Sequence, residues 1–177
     1  MLKILQYPNP RLKIVAQRVE TFDNELQKII DEIFLTHYNT ENCAALAATQ
    51  LDLKNPKHIT VIDFSPEKDQ PLCLVNAKII KRMGKHTEEE GCMSVDAGTY
   101  EKVTRASKIR VRAQNRYGNL LEFEADGFMA KCIQHELDHL NGIIFLDHLS
   151  SLKRNRIEKR LKKLRRYHKS SEKNISL

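Results

Sequence analysis

The sequence predicts an α+β fold in which one helix packs on sheets. Segments with the alternating or apolar character of strands fill much of the chain before residue 126. One amphipathic helical segment follows them, between Asp126 as its N-cap and Gly142 as its stop signal. A strongly basic segment with helical spacing comes last. Strands that precede a single central helix are typical of the α+β class.

Hydrophobic spacing assigns the remaining elements in chain order. Apolar residues recur at helical intervals from Asn24, so a helix is predicted from there to about Tyr38. The small apolar residues 43–51 are compatible with a buried strand or with a close-packed loop. Residues 84–90 are predicted to be a charged connection. Strands are predicted at 58–64, 72–80 and 109–113, with a hairpin turn at 115–119 leading to a strand at 121–124.

The composition describes one ordinary globular domain. The chain has 177 residues, of which 41% are hydrophobic and 30% are charged, enough to bury a core. No apolar run approaches the roughly 20 residues of a membrane span, and no targeting segment is recognisable. The four cysteines form no closely spaced framework, which is typical of a reducing compartment. We therefore expect a cytoplasmic protein.

The net charge of +7 is concentrated near the C-terminus. Residues 153–169 contain ten Lys or Arg and one Glu, so the rest of the chain is close to neutral. On a helix, Ile157, Leu161 and Leu164 would form a narrow apolar stripe among these cations. Such a cation density favours a polyanionic partner, whereas the stripe is thin for insertion into a membrane.

The segment from Cys132 to Leu140 carries the groups with the most demanding chemistry. His135 and His139 are four residues apart, so on a helix their imidazoles project from one face and can share a metal ion. Glu136 lies beside the first histidine, within reach of a metal-bound water but poorly placed to be a ligand itself. Two nitrogen ligands and a carboxylate that moves a proton indicate a metal-dependent hydrolase.

A site of this kind needs a third protein ligand. In the metzincin pattern H-E-x-x-H-x-x-G-x-x-H the third histidine would stand where this chain has Phe145, which excludes that class. A downstream glutamate has only Glu158 and Glu172 as candidates, and both lie in the basic C-terminal tail. The remaining candidate is Cys92, whose thiolate is a strong metal ligand and whose preceding glycine lets the backbone approach the metal. Taken alone, this cysteine would also suit a buried apolar position.

Three motifs make the sequence resemble the peptide deformylase family from Tyr7 to Phe145. Residues 90–94 (EGCMS) match the family's E-G-C-L-S with Met for Leu, and residues 134–142 match its Q-H-E-x-D-H-L-x-G. Residues 46–50 (LAATQ) match the second half of its G-x-G-x-A-A-x-Q. The resemblance implies small antiparallel or mixed sheets packed around the H-E-x-x-H helix. It also implies a metallohydrolase domain over residues 1–150, followed by a basic C-terminal helix and tail over 151–177.

The resemblance also implies a reaction and the residues that perform it. Members of the family remove the formyl group from N-formylmethionine at the start of nascent bacterial chains. The oxyanion would be stabilised by Gln50 and the backbone N–H of Met93, and Glu136 would be the general base and acid. Ferrous iron is the implied metal, with zinc or nickel as substitutes, and no other cofactor is expected. The metal ligands implied by position are Cys92, His135 and His139.

The substrate pocket departs from the family pattern. Cys43 and Ala45 replace both glycines of the first motif, and the stretch from Asp96 to Tyr100 replaces a proline and a substrate-facing arginine, with an apparent one-residue insertion. On a helix Lys131 lies one turn before His135, where it either faces the pocket or extends to solvent. Family positions that are typically aliphatic carry Glu88 and Lys131 here. The residues expected to line the pocket are Ala44, Ala45, Glu88, Phe128, Lys131 and Cys132.

The resemblance implies two partners and leaves two alternatives. The substrate is an N-formyl peptide, and deformylases can dock on the ribosome near the nascent-chain exit through their C-terminal helix, here Leu152–Lys169. A monomer without DNA or membrane partners is expected. The first alternative is a related metallohydrolase that prefers another N-acyl substrate. The second is a metal-holding ribosome-binding protein without turnover, against which Glu136 and Gln50 argue, since binding alone requires neither.

Overall fold

Three helices and seven strands form the fold of the computed structural model. It describes residues 1–95 and 98–175, and for residues 167–175 it describes the backbone alone. The helices are α1 (Asn24–Tyr38), α2 (Gly127–Leu140) and α3 (Ser151–Ile175). The strands are β1 (Ala45–Ala47), β2 (Ile59–Ile62), β3 (Leu72–Met83), β4 (His86–Glu90), β5 (Glu101–Arg105), β6 (Lys108–Gln114) and β7 (Leu120–Asp126).

The strands form two separate sheets. The larger has the order β1-β2-β3-β6-β7, and the smaller pairs β4 with β5. The predicted α+β class is confirmed. Every pair of the named strands is antiparallel, so neither sheet is mixed within the described part of the chain.

Most predicted elements are present, and one was predicted wrongly. The helix expected from Asn24 to about Tyr38 is α1, and the segment 43–51 contains both β1 and a short 3-10 helix, Ala48–Gln50. The segment 84–90 is not a simple connection, because most of it forms β4, which pairs with the unpredicted β5. Only the last residue of β4 is buried, so the strand lacks the apolar alternation from which strands are predicted.

The larger sheet lies between α1 and α2. Residues of β2 and β3 alternate between two core clusters, as the period of a strand requires. Val61 packs with Ile30 of α1 in one cluster, whereas Ile62 packs with Ile133 and Leu137 of α2 in the other. One face of α2 is therefore fixed against the sheet, and its remaining faces are left for other contacts.

Gly142 ends α2 for two physical reasons. Its φ of +71° lies in the left-handed region, which favours glycine. In addition, a Cβ at this position would lie only 2.5 Å from the carbonyl oxygen of Lys13. At the other end Asp126 is extended, as an N-cap residue should be, but its side chain makes no capping hydrogen bond.

The basic helix α3 packs on the domain through part of its apolar stripe. Ile157 and Leu161 are 4% and 1% exposed, and they belong to one core cluster with Cys92 and Phe145. Leu164, the third stripe residue, remains 37% exposed. Among the described residues, no helix combines the length and the apolar character needed to cross a membrane.

Leu161→Ala should lower the free energy of unfolding by about 2–5 kcal/mol, because a buried leucine side chain would leave a cavity in the core. Leu164→Ala is the matched control and should cost about 1 kcal/mol or less, since that side chain is partly exposed. Urea unfolding of both variants tests this. Equal losses would show that α3 does not pack through Leu161.

Candidate metal centre and active site

Three side chains able to bind a metal converge beside α2. His135 and His139 come from successive turns of α2, and Cys92 comes from the loop after β4. The Cys92 Sγ lies 3.1 Å from His139 Nε2, which lies 3.2 Å from His135 Nε2. The three potential ligand atoms are all within 4.8 Å of one another. The structure thus brings together the three residues predicted as metal ligands.

The chemistry of this donor set fits a divalent metal. Two imidazole nitrogens 3.2 Å apart cannot both carry a proton toward each other, so at least one lone pair faces the centre of the cluster. Burial, together with the neighbouring charge of His135, lowers the pKa of His139 well below its usual value and favours the neutral ring. Burial raises the pKa of Cys43 and Cys132 to about 12, so these thiols stay protonated at neutral pH. A thiol with two imidazoles is a ligand set suited to zinc, iron or nickel.

A buried network of ion pairs contacts Nδ1 of His135, whereas Nε2 of the same ring faces the cluster. Glu90 Oε2 lies 3.5 Å from His135 Nδ1, and the two carboxylate oxygens accept hydrogen bonds of 2.6 and 3.0 Å from Arg105. Arg105 Nη1 also donates to Asp138 Oδ2 at 2.6 Å. Burial disfavours the Glu90 carboxylate, but the hydrogen bonds from His135 and Arg105 outweigh it and lower the pKa of Glu90 to about 2. Such a carboxylate fixes the orientation of a ligating imidazole.

Glu136 is a buried carboxylate next to the cluster. It is 3% exposed, and its Oε2 has no hydrogen-bond partner among the described residues. Burial raises the pKa of Glu136 to about 7. A carboxyl group with this pKa is suited both to accept and to donate a proton near neutral pH.

Gln50 directs its amide N–H toward the cluster. The side chain is 1% exposed, and its Oε1 accepts a hydrogen bond of 2.8 Å from the backbone N–H of Ala47. Its Nε2 donates to Ser94 Oγ at 3.2 Å and lies 3.6 Å from Cys92 Sγ. The backbone N–H of Ser94 also donates to Cys92 Sγ, at 3.4 Å. Met93 lies between these two residues and is half-buried.

Several residues of this network had no role that the sequence predicted. Glu90 and Ser94 flank Cys92 within one motif, and Asp138 lies inside H-E-x-x-H, so nearness in sequence to the predicted ligands was the available signal. Arg105 gave no such signal, because only the fold brings it to Glu90, 15 residues earlier in the chain.

The two charged residues of the expected pocket form an ion pair. Lys131 Nζ donates to Glu88 Oε2 at 2.7 Å and lies 5.0 Å from the centre of the Phe128 ring. His86 Nε2 lies 2.9 Å from the other oxygen of Glu88. The hydrogen bond from Lys131 lowers the pKa of Glu88. The Lys131 side chain is 19% exposed, so it is held against the protein rather than extended into solvent. Cys132, the next residue, is buried.

In the first motif, Cys43 and Ala45 stand where the family has glycine, and neither has a backbone in the left-handed region. The left-handed residue of this loop is Asn42, with φ of 54°, and not Cys43 or Ala45. Ala45 is buried in β1, opposite Ile62, whereas Ala44 and Cys43 are half-buried. Cys43 and Ala45 are therefore accommodated without a left-handed backbone at either position.

Gly91 lies directly against the ring of Tyr100. A Cβ at this position would lie 2.6 Å from the ring of Tyr100, so a side chain would displace either the ring or the loop that carries Cys92. This contact was not expected from sequence, which related the glycine to a close approach of the backbone to the metal. Asp96 and Ala97, in the stretch that departs from the family pattern, lie outside the described residues.

Comparison with known proteins assigns the chain to a family. The family model described as polypeptide deformylase matches residues 1–155. The chain belongs to the polypeptide deformylase family. It is 79% identical to peptide deformylase 1 of Coxiella burnetii, covering 94% of this chain and 98% of that protein. It is 48% identical to the peptide deformylase of Chromobacterium violaceum, covering 92% and 95%.

Solved deformylase structures share the fold. A peptide deformylase from Legionella pneumophila superposes with a TM-score of 0.85 at 40% identity, over 94% of this chain and 96% of that one. One from Ehrlichia chaffeensis, in complex with actinonin, superposes with a TM-score of 0.83 at 33% identity, over 92% and 96%. The predictions of a deformylase and of an enzyme are therefore confirmed, and a binding protein without turnover is set aside.

Proposed function

We propose that this deformylase removes the formyl group from N-formylmethionine at the start of nascent polypeptides, with Cys92, His135 and His139 as metal ligands. The observation that carries the proposal is the convergence of a thiol and two imidazoles beside a buried carboxylate. A divalent metal in this set supplies Lewis-acid activation of the formyl group and of water. We propose ferrous iron, with zinc or nickel as substitutes, and the family resemblance is the support for iron.

Glu136 is the proposed proton carrier. Its carboxylate takes a proton from the attacking water and returns it to the amine nitrogen as the C–N bond breaks. Two observations support this role: the pKa of about 7 and the Oε2 without a partner among the described residues. Burial by the surrounding core keeps bulk water from competing for that proton.

Gln50 and Met93 are the proposed donors to the oxyanion. The bond from the Ala47 N–H to Gln50 Oε1 leaves the Nε2 end of the amide directed at the cluster. A donor fixed in this way before the reaction begins stabilises charge as it develops, without reorganisation. The backbone N–H of Met93 follows the ligand Cys92 directly and is the second proposed donor.

Cys92→Ser and His139→Ala should each remove stoichiometric metal, because each loses a direct ligand. Glu136→Gln should keep the metal and lower kcat for formate release from formyl-Met-Ala-Ser by several orders of magnitude, since a neutral amide cannot accept the proton. Metal analysis and formate release on the purified proteins test both statements. Loss of metal from the Glu136 variant would mean that Glu136 is a ligand.

We further propose that a pocket lined by Ala44, Ala45, Glu88, Phe128, Lys131 and Cys132 receives the methionine side chain. The ion pair of Glu88 with Lys131 introduces charge into a site for an apolar group. Desolvating a charged pair against a thioether is unfavourable, so this pocket should bind methionine less tightly than an apolar one. The same pair supports the second candidate function, a preference for another N-acyl substrate.

Glu88→Ile combined with Lys131→Ile should lower KM for formyl-Met peptides, because the pocket becomes apolar and neither member of the Glu88–Lys131 pair is left charged without the other. The single variant Lys131→Ile is the control for the pair, and it should give a smaller improvement because Glu88 remains charged. Steady-state kinetics on formyl-Met-Ala-Ser measure the effect. An unchanged KM in the double variant would mean that both side chains lie outside the pocket.

We propose that α3 docks the enzyme on the ribosome near the nascent-chain exit, through Leu152–Lys169. Arg156, Lys159 and Lys162 are exposed and have no ion pair among the described residues. They follow one another at intervals of three, which puts them on the side of α3 opposite Ile157 and Leu161. Lys169 lies beyond the described side chains.

The proposal also divides the chain into a catalytic part and a docking part, and it places the protein in the cytoplasm. Residues 1–150 hold every proposed catalytic group, and 151–177 form the docking helix and tail. Ile157 and Leu161 nevertheless complete the core around Cys92, so removing α3 would damage the enzyme as well as its docking. A monomer that works on nascent chains in the cytoplasm is proposed, because its substrate emerges there.

Replacing Arg156, Lys159 and Lys162 together by alanine should weaken ribosome binding at least tenfold at about 100 mM salt, since fewer phosphates are neutralised. The matched control replaces Lys3, Lys28 and Lys54 by alanine, which removes the same charge from exposed positions outside α3. This variant should bind ribosomes as the wild type does. Co-sedimentation with purified ribosomes measures the affinity. Turnover of a short formyl peptide should be the same in all three proteins. Equal co-sedimentation of the α3 variant and the wild type would exclude docking through this face.

A further inference from the structure

A second cleft lies on a face of α2 that the metal cluster does not use. Its volume is about 680 Å³. It is lined by Gln134, Leu137 and Asp138 of α2 and by Asn141, the C-cap residue, and none of the proposed metal ligands lines it. The other walls come from β3, the turn after β3 and β5, together with His58, Ala106 and His148. The cleft is therefore separate from the proposed catalytic site.

The inner end of this cleft is electrically balanced. Asp138 is the one carboxylate among the lining residues. It accepts hydrogen bonds from Arg105 at 2.6 Å and from His148 at 2.7 Å. Arg105 also binds Glu90, so its charge is matched within the protein. A ligand entering the cleft consequently meets no free carboxylate.

The outer part of the cleft carries an excess of positive charge. Lys78, Arg82 and Lys85 line it and are exposed, and the described part of the chain offers none of them an ion pair. All three come from the second half of β3 and the turn that follows it. A concave surface with cations of one sign concentrates the field and attracts anions.

We propose that this cleft binds the phosphate backbone of an RNA strand, as a second contact beside α3. The inference rests on the proposed docking of the enzyme on the ribosome. His148 lines the cleft, and only two residues separate it from the first residue of α3, so the cleft adjoins the start of the cationic helix. An RNA strand can enter a cleft, whereas the surface of a bilayer is flat on this scale. A strand bound at the start of α3 could therefore extend into the cleft and reach its three cations.

The test is a variant in which Lys78, Arg82 and Lys85 are replaced together by alanine. The probe is a fluorescein-labelled single-stranded 12-mer RNA, whose binding is measured by anisotropy across a range of salt concentrations. Each phosphate contact contributes about 0.7 to the slope of log K against log salt for a single strand, so the slope should fall by about 2. Affinity at about 100 mM salt should fall at least tenfold. The variant with Lys3, Lys28 and Lys54 replaced should match the wild type in both quantities.

The inference and the proposed docking fail in different ways. If the α3 variant loses RNA affinity and the cleft variant does not, the cleft inference is overturned and docking through α3 stands. Loss in the cleft variant alone supports the inference and removes α3 from the RNA contact. Vesicles of anionic phospholipid form a parallel arm, and loss of vesicle binding with retained RNA binding would overturn the assignment to RNA. If the triple variant does not fold, the single variant Arg82→Gln tests the same inference. It should lower the slope of log K against log salt by about 0.7.

Discussion

The burial of polar groups along one side of α2 is the constraint on which the rest of the structure depends. His135, Glu136 and His139 are each 9% exposed or less. Polar groups buried without partners cost several kcal/mol, so each must be satisfied by a metal, by a hydrogen bond or by a change of charge. Glu90 provides a partner for Nδ1 of His135. The raised pKa of Glu136 allows its carboxyl group to be protonated, and so neutral, in part of the population near neutral pH. The groups that make the helix costly to bury are the groups proposed to perform the reaction.

Cys92 is held by its surroundings, because it comes from a loop and not from a helix. Hydrogen bonds from Gln50 and from the backbone of Ser94 reach its sulfur, and Tyr100 packs on the glycine before it. Behind it, Leu161 of α3 belongs to the same core cluster. The basic helix therefore packs into the same core cluster as the proposed metal ligand Cys92, and it also presents a charged surface.

The sequence predicted the elements whose pattern is local. The helices α1 and α2 and the hairpin of β6 and β7 have strong periodicity, and the H-E-x-x-H spacing on its own indicated a metal. β4 and β5 lack apolar alternation, so they were missed. The network from Glu90 through Arg105 to Asp138 joins residues 15 and 33 positions apart, and no local pattern encodes such pairing. The pairing of Lys131 with Glu88 has the same origin, because these residues are 43 positions apart.

Arg105 explains how a charged cleft can adjoin the proposed metal centre without disturbing it. Its guanidinium lines the cleft and also binds Glu90, which contacts His135. An anion in the cleft could compete for this guanidinium and so release Glu90 from it. Two carboxylates, Glu90 and Asp138, already occupy Arg105 in a site where its side chain is only 8% exposed, and buried charge-assisted bonds of this kind are costly to break. The exposed cations Lys78, Arg82 and Lys85 are therefore the ones available to an anionic ligand. Binding of that ligand would leave Glu90 paired with Arg105, so the orientation of the His135 ring would not change.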